Sequence, residues 1–388
     1  MMFIRTLFSL MDPTRRHLLV SICGMLFVIS TVYFLFDTKA MTSKQQPTTS
    51  TKKLRRQTTT EKQRPQTLTE KQRPQTLTEK QRPQTKRTTP KPTPKKIDKN
   101  VAANSSMTVI TLARLGNNMF QYAALVGVAL ARGHVPIYLN EGNGLRKIFN
   151  ISAEKYPDSE YKSRVENNTN RYNETCCLFD PKLMKTVKIA GNFVLNGFFQ
   201  NWRYFHPHAS DQLRREFTFR KPVTDAAESF LANATANYTR KHRTKRHSTK
   251  LTYVGIHVRR GDITTIGYRI MGMRQPTMDY FKKAMTIMES LYDNVLYVIC
   301  SDDLKWCREK FGSMPNTAFC PGTDRLVDLA ILSKSNHSIL TIGSFGFWGA
   351  FLANGTTTYF GSARALGSDA DIVFSYDQYF MPEWIKIP

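Results

Sequence analysis

The residues best suited to chemistry lie in the hexapeptide His257-Val258-Arg259-Arg260-Gly261-Asp262. It closes an apolar, β-branched run, residues 251–258 (LTYVGIHV), so two guanidinium groups leave a buried strand side by side. That is costly unless an anion meets them, and guanidinium grips phosphate through paired hydrogen bonds that lysine does not reproduce. The competing reading is a structural ion pair with Asp262. Arg260-Gly261-Asp262 also spells an adhesion tripeptide, but adhesion loops protrude and this one emerges from an apolar strand. A second candidate, Gly343-Ser344-Phe345-Gly346-Phe347-Trp348-Gly349, follows the apolar run 339–342. Its glycines permit close backbone approach, and the amides of a helix starting there attract phosphate. Tight strand–helix packing explains the same glycines, and no Gly-Lys-Ser/Thr follows to make a P-loop. Asp302 and Asp303 end a third apolar run, 295–299. Asp369-Ala370-Asp371 fits the DxD pattern of metal-dependent transferases, a spacing that chance produces about 0.7 times at this Asp content.

Such loops need strands behind them. Residues 108–112 (TVITL) form a short β-branched run, and a helical pattern spans 118–132. Gly133 is a natural helix stop and 135–139 a second strand. Strand, helix and strand within about thirty residues make a βαβ unit and imply a parallel sheet. The second half repeats this grammar. Thr277 opens a helix with Met278, Phe281, Met285, Met288 and Leu291 on one face, and another helix spans 324–334. Three strands then end in polar or glycine-rich loops, where open α/β sheets bind ligands. The expected fold is α/β in two Rossmann-like halves, 105–237 and 251–388, joined by a basic linker loop at 238–250.

Charge and hydropathy describe what precedes the body. Of the net charge of +26, +14 falls in residues 39–100, which are nearly devoid of apolar side chains. A uniformly basic globule is thereby excluded. A nucleic-acid binder is disfavoured as well, since no aromatic interleaves those cations to stack on bases. Residues 18–36 (LLVSICGMLFVISTVYFLF) carry no charge over 19 residues, enough helix to cross a bilayer. The run lacks a small-residue cleavage site, so it reads as an uncleaved signal-anchor behind a cytosolic tail, 1–17. Residues 37–104 read as a disordered stalk, with TEKQRPQTL repeated in tandem from Thr60, Thr69 and Thr78, the third copy ending in Lys86. Sequons at Asn104, Asn150, Asn167, Asn173, Asn233, Asn237, Asn336 and Asn354 all follow the anchor and predict a lumenal, N-glycosylated body. Cys176, Cys177, Cys300, Cys307 and Cys320 share that side, so most are expected to be paired. No CxxC or HExxH occurs, which argues against a metal site.

Ordered blocks then add a resemblance. Arg114-Leu115-Gly116-Asn117-Asn118-Met119-Phe120-Gln121-Tyr122-Ala123, the segment from Gly255 to Asp262, the segment from Asp328 to His337, and Thr341 to Trp348 make residues 107–388 similar to the galactoside 2-alpha-L-fucosyltransferase family. The resemblance implies a GT-B-type fold, GDP-β-L-fucose as donor, a terminal β-galactoside as acceptor, inversion to an α1,2 linkage, and a Golgi type II membrane protein. It implies that His257 and Asp328 contact guanine, that Arg259 and Arg260 hold the pyrophosphate, and that Ser344 and Phe345 line the phosphate and fucose pocket. Asp302 and Asp303 would lie near the nucleotide, with Arg114 and Asn117 facing the cleft from the first half. The family's Gly-Arg-Leu-Gly-Asn-Gln block departs at two positions, Ala113 and Asn118. Arginines neutralising the leaving group would make a metal unnecessary and no cofactor is expected; the general base stays open among Asp262, Asp302 and Asp303. The rival functions are a metal-dependent transferase using Asp369 and Asp371, and a non-catalytic lumenal glycan-binding protein.

Overall fold

Short apolar runs that alternate with helices suit a parallel sheet covered on both faces, and among the described residues every pairing between strands is parallel. The structure is a computed structural model that describes residues 105–138, 144–155, 170–175, 177–185, 191–242, 250–373 and 375–388. The tail, anchor and stalk, the sequons Asn104 and Asn167, Cys176, and residues 243–249 of the basic linker lie outside the described residues. Among the described residues no helix is long and apolar enough to cross a membrane.

The first sheet has the order β2-β1-β4-β3, formed by β1 (Ser105–Val109), β2 (Val135–Ile137), β3 (Arg171–Asn173) and β4 (Gly191–Asn196). The second has the order β10-β9-β8-β5-β6-β7. Its strands are β5 (Thr252–Val258), β6 (Val295–Ser301), β7 (Thr317–Phe319), β8 (His337–Leu340), β9 (Thr357–Phe360) and β10 (Ile385–Ile387). The helices of eight or more residues are α1 (Leu115–Arg132), α2 (Lys221–Lys241), α3 (Met278–Leu291), α4 (Leu304–Phe311), α5 (Arg325–Ser333) and α6 (Ser344–Ala353).

These orders create two places where the chain reverses its direction across a sheet. In the second sheet β5 is followed on one side by β6 and β7, and the chain then returns to lay β8 on the other side. In the first, β1 is flanked by β2 and by β4. A reversal separates the loops leaving the two central strands and opens a crevice at their C-terminal ends. The crevices thus fall after β1 and β4, and after β5 and β8.

Helices α1 and α6 join the sheets. Both are apolar on most of their circumference, as a helix enclosed by other elements must be. Phe120 of α1 packs against Phe347 at 4.6 Å and Trp348 at 5.0 Å between ring centroids. The Trp348 indole N–H donates to the Gly116 carbonyl at 2.9 Å, so this fully buried ring has its polar atom satisfied. Cutting such a ring back to alanine costs about 3–5 kcal/mol. The chain end adds a tie: Gln378 accepts from the Phe179 amide and from Asn201 Nδ2.

Element edges differ from the sequence reading in two instructive ways. Helix α1 starts at Leu115 rather than 118, because the Arg114 carbonyl already accepts from the amides of Asn117 and Asn118. Helix α2 continues to Lys241, through the first residues of the stretch expected to be a loop. Tyr238 explains this, since its hydroxyl donates to Asn294 Oδ1 at 3.1 Å and its ring stacks on His242.

Candidate active site

Strand β5 delivers the arginines. Its register sets His257 opposite Cys300 of β6 and Leu340 of β8, which places Arg259 and Arg260 just beyond the sheet. The Arg259 amide donates to Thr341 Oγ1 at 2.9 Å, locking the strand exit to the exit of β8. Arg259 Nη2 meets Asp262 Oδ1 at 2.6 Å, and Arg114 from the first half meets Asp262 Oδ2 at 3.6 Å. The structural ion pair weighed against an anion site is therefore present, but one carboxylate is shared by two guanidiniums. That cluster keeps a net positive charge.

Arg260 is held differently. Its amide donates to Asp302 Oδ1 at 2.7 Å, its Nε donates to Asp303 Oδ2 at 3.1 Å, and its guanidinium lies 4.2 Å above the Trp306 ring. Asp303 Oδ1 accepts from the Trp306 amide and so caps α4. That amide and then Arg260 hold the Asp303 carboxyl below its ordinary range. The acidic pair thus fixes the arginine. Gly261 makes this possible, since a Cβ there would fall 2.5 Å from Asp302 Oδ2.

Glycines seat α6 against this strand. Gly343 adopts φ +101, and a Cβ on it would stand 2.9 Å from Arg259 Cδ. A Cβ on Gly346 would stand 2.9 Å from His257 Cγ and nearer still to Nδ1. His257 is buried, with Phe345 tilted over it at 5.4 Å. Burial, and then Arg259, pull its pKa down to about 3, so the ring is a neutral hydrogen-bonding group rather than a phosphate cation. This suits the base contact the family resemblance implies better than a charge-pairing role.

The first turns of α1 and α6 touch. A Cβ on Gly116 would lie 2.6 Å from Ser344 Oγ and 2.9 Å from the Phe345 amide nitrogen. Ser344 Oγ donates to Asn117 Oδ1 at 2.9 Å, and Gln200 Nε2, beyond β4, donates to the same oxygen at 2.8 Å. Neither helix has a side-chain cap at its N-terminus. Two uncapped, positive helix ends converge beside Arg114 and Arg259, an arrangement that favours an anion between them.

Asp328 lies to one side, buried on α5, and its Oδ1 accepts from the Gly322 amide at 3.4 Å. Burial raises its carboxyl to about 6, with Asp324 adding to the rise. A carboxylate oxygen of Asp328 and the sulfurs of Cys300 and Cys320 lie within 4.8 Å of one another. The two cysteines are bonded to each other as a disulfide, so the trio is not a metal site. Cys307 is buried and unpaired. Asp371 of the DxD triplet is engaged as well: Oδ1 meets Arg364 Nε at 3.2 Å and Oδ2 accepts from the Gly367 amide at 2.9 Å.

The structure thus gathers Arg114, Asn117, His257, Arg259, Arg260, Asp262, Asp302, Asp303, Ser344 and Phe345 at the two crevices, with Asp328 beside them. Trp306 and Gln200 belong to the same cluster and escaped the sequence reading. Trp306 could have been noticed as the aromatic in the first turn after the Asp302-Asp303 strand end; no sequence signal marks Gln200.

The family model described as glycosyl transferase family 11 matches residues 71–388. The chain belongs to glycosyl transferase family 11. Among curated relatives of this family 11 chain is the rat galactoside alpha-(1,2)-fucosyltransferase 2, 30% identical over 295 residues, covering 72% of this chain and 76% of the relative. The cattle galactoside 2-alpha-L-fucosyltransferase SEC1 is 29% identical over 286 residues, covering 72% and 73%. The family 11 chain is also similar to the crystal structure of fucosyltransferase NodZ from Bradyrhizobium, with 13% identity, 63% and 92% of the two chains covered, and a TM-score of 0.42.

Proposed function

We propose that this family 11 chain transfers L-fucose from GDP-β-L-fucose to the 2-hydroxyl of a terminal β-galactoside on glycoproteins or glycolipids, with inversion and without a required metal. We read the two sheets as the lobes of a GT-B fold, with the nucleotide on the second. The observation that carries this reading is the convergence of two uncapped helix starts, α1 and α6, beside Arg114 and Arg259, with Arg260 leaving the same strand exit. The names of the curated relatives supply the sugar and the linkage.

The chemistry follows from charge. The galactoside O2 attacks the anomeric carbon, the bond from that carbon to the β-phosphate oxygen breaks, and the hydroxyl proton passes to a base. Charge then accumulates on the β-phosphate, where fixed arginines and helix amides stabilise it without having to reorganise. Asp262 has both oxygens on guanidiniums, and Asp303 spends both on Trp306 and Arg260. Asp302 is exposed and, among the described residues, engages only Oδ1. It is the candidate base with an oxygen to spare.

We place the protein in the Golgi membrane as a single-pass type II protein anchored by residues 18–36, with its body lumenal. The described sequon residues Asn150, Asn173, Asn233, Asn237, Asn336 and Asn354 are all exposed, which supports a glycosylated body. One assay with radiolabelled GDP-fucose tests the reaction. Transfer to a terminal β-galactoside should survive EDTA and vanish with a 2-deoxygalactoside. Loss with EDTA and recovery with Mn²⁺ would sink metal independence; transfer to the 2-deoxy acceptor would sink the linkage.

A further inference from the structure

We propose that Trp306 is a positioning residue for the donor: its indole face and the Asp303 carboxylate together fix the Arg260 guanidinium so that only its two terminal nitrogens turn toward the diphosphate. The inference rests on reading Arg260 as a diphosphate ligand. An arginine near a strand end ordinarily samples many rotamers, and ordering it on binding would weaken the complex. Here three constraints act on one side chain. The amide is tied to Asp302 at 2.7 Å, Nε is tied to Asp303 at 3.1 Å, and the flat of the guanidinium rests 4.2 Å above the indole centre. Among the described residues, Nη1 and Nη2 have no hydrogen-bond partner. That pair forms the forked edge that meets phosphate bidentately.

The platform is itself rigid. Trp306 packs against the core rings Phe281 and Phe311 at 6.3 and 6.1 Å. Its amide is held by Asp303 Oδ1 at 3.1 Å, and the Asp303 amide donates to Ser301 Oγ, which donates in turn to the Val258 carbonyl of β5. Strand exit, helix cap and indole therefore form one closed circuit around Arg260. A smaller apolar residue at 306 would leave the hydrogen bond from Nε but remove the surface that sets the plane of the guanidinium.

The test is a double-mutant cycle on the full chain, reading GDP and guanosine affinity, donor KM and kcat, with a thermal melt for each variant. Trp306→Leu should weaken GDP binding about 5- to 20-fold, leave guanosine binding unchanged, and add less than twofold to the loss already caused by Arg260→Ala. Trp306→Phe keeps the core packing and should retain most of the affinity; if Trp306→Leu does not fold, the cycle is run with Trp306→Phe and a smaller coupled loss is expected. Equal losses on both backgrounds, equal losses of GDP and guanosine affinity, or no loss at all would overturn the proposal. If Arg260→Ala alone leaves GDP affinity intact, the donor-site reading falls, and this inference with it.

Discussion

Replacing Gly346 by alanine should disable donor binding through a single methyl group. The new Cβ would stand 2.9 Å from His257 Cγ and 3.2 Å from its Cβ, with Nδ1 nearer still. Carbon contacts are comfortable only from about 3.5 Å, so roughly 0.6 Å or more must be found. His257 is poorly able to yield it: the ring is buried, its strand is paired on both sides, and Phe345 covers it. The start of α6 must move instead, carrying the Ser344 and Phe345 amides away from the arginines. Overpacking of this kind costs about 1–3 kcal/mol of stability, and a misplacement near 1 Å in a catalytic constellation costs on the order of 100-fold in rate. We expect Gly346→Ala to lower the Tm by a few degrees, to weaken GDP binding by at least tenfold in calorimetry, and to lower kcat/KM by about 100-fold. Gly349→Ala provides a control on the same helix, because its Cβ would meet Leu332 at 2.9 Å on the packed face. It should cost stability and spare GDP affinity. A Gly346→Ala protein that binds GDP and turns over within threefold of wild type would refute the claim that α6 and β5 jointly build the anion site.

Asp302→Asn keeps an oxygen for the Arg260 amide while removing the spare carboxylate oxygen, so kcat should fall about 100-fold or more with donor KM nearly unchanged; unchanged kcat would exclude Asp302 as the base. Ala113 sits at φ +67, where a Cβ is unfavourable, so Ala113→Gly should stabilise the body by about 0.5–1 kcal/mol in denaturant unfolding. Burial raises the Asp328 carboxyl to about 6. Between about pH 4 and that value the folded chain holds a proton the unfolded chain has released, and stability falls as pH rises through the window. Asp328→Asn should flatten that slope and raise the Tm at pH 7.5 while weakening GDP binding; a parallel slope in both proteins would refute the assignment.

The parts of this site that were legible in sequence are those in which an apolar run ends abruptly in charge or glycine. Residues 251–262 and 339–349 show that signature because a buried strand and its exposed exit differ in composition over a few positions. What brings the exits together is strand order, and strand order is not a local property. Nothing in residues 107–123 announces that the first turn of α1 will rest on the first turn of α6, more than two hundred residues away. Asp302 and Asp303 illustrate a second kind of blindness. An acidic pair reads alike in sequence whether or not it holds an arginine, and only the hydrogen bonds to Arg260 show that this pair does. Ala113 and Asn118, the two departures from the family block, have separate consequences. Ala113 keeps the left-handed conformation that glycine would adopt without strain, so the shape of the loop survives the substitution. Asn118 places its side-chain oxygen in a buried position with no hydrogen-bond partner among the described residues. The first change is a cost in backbone strain and the second a cost in polar burial, so the two departures bear on stability through different mechanisms.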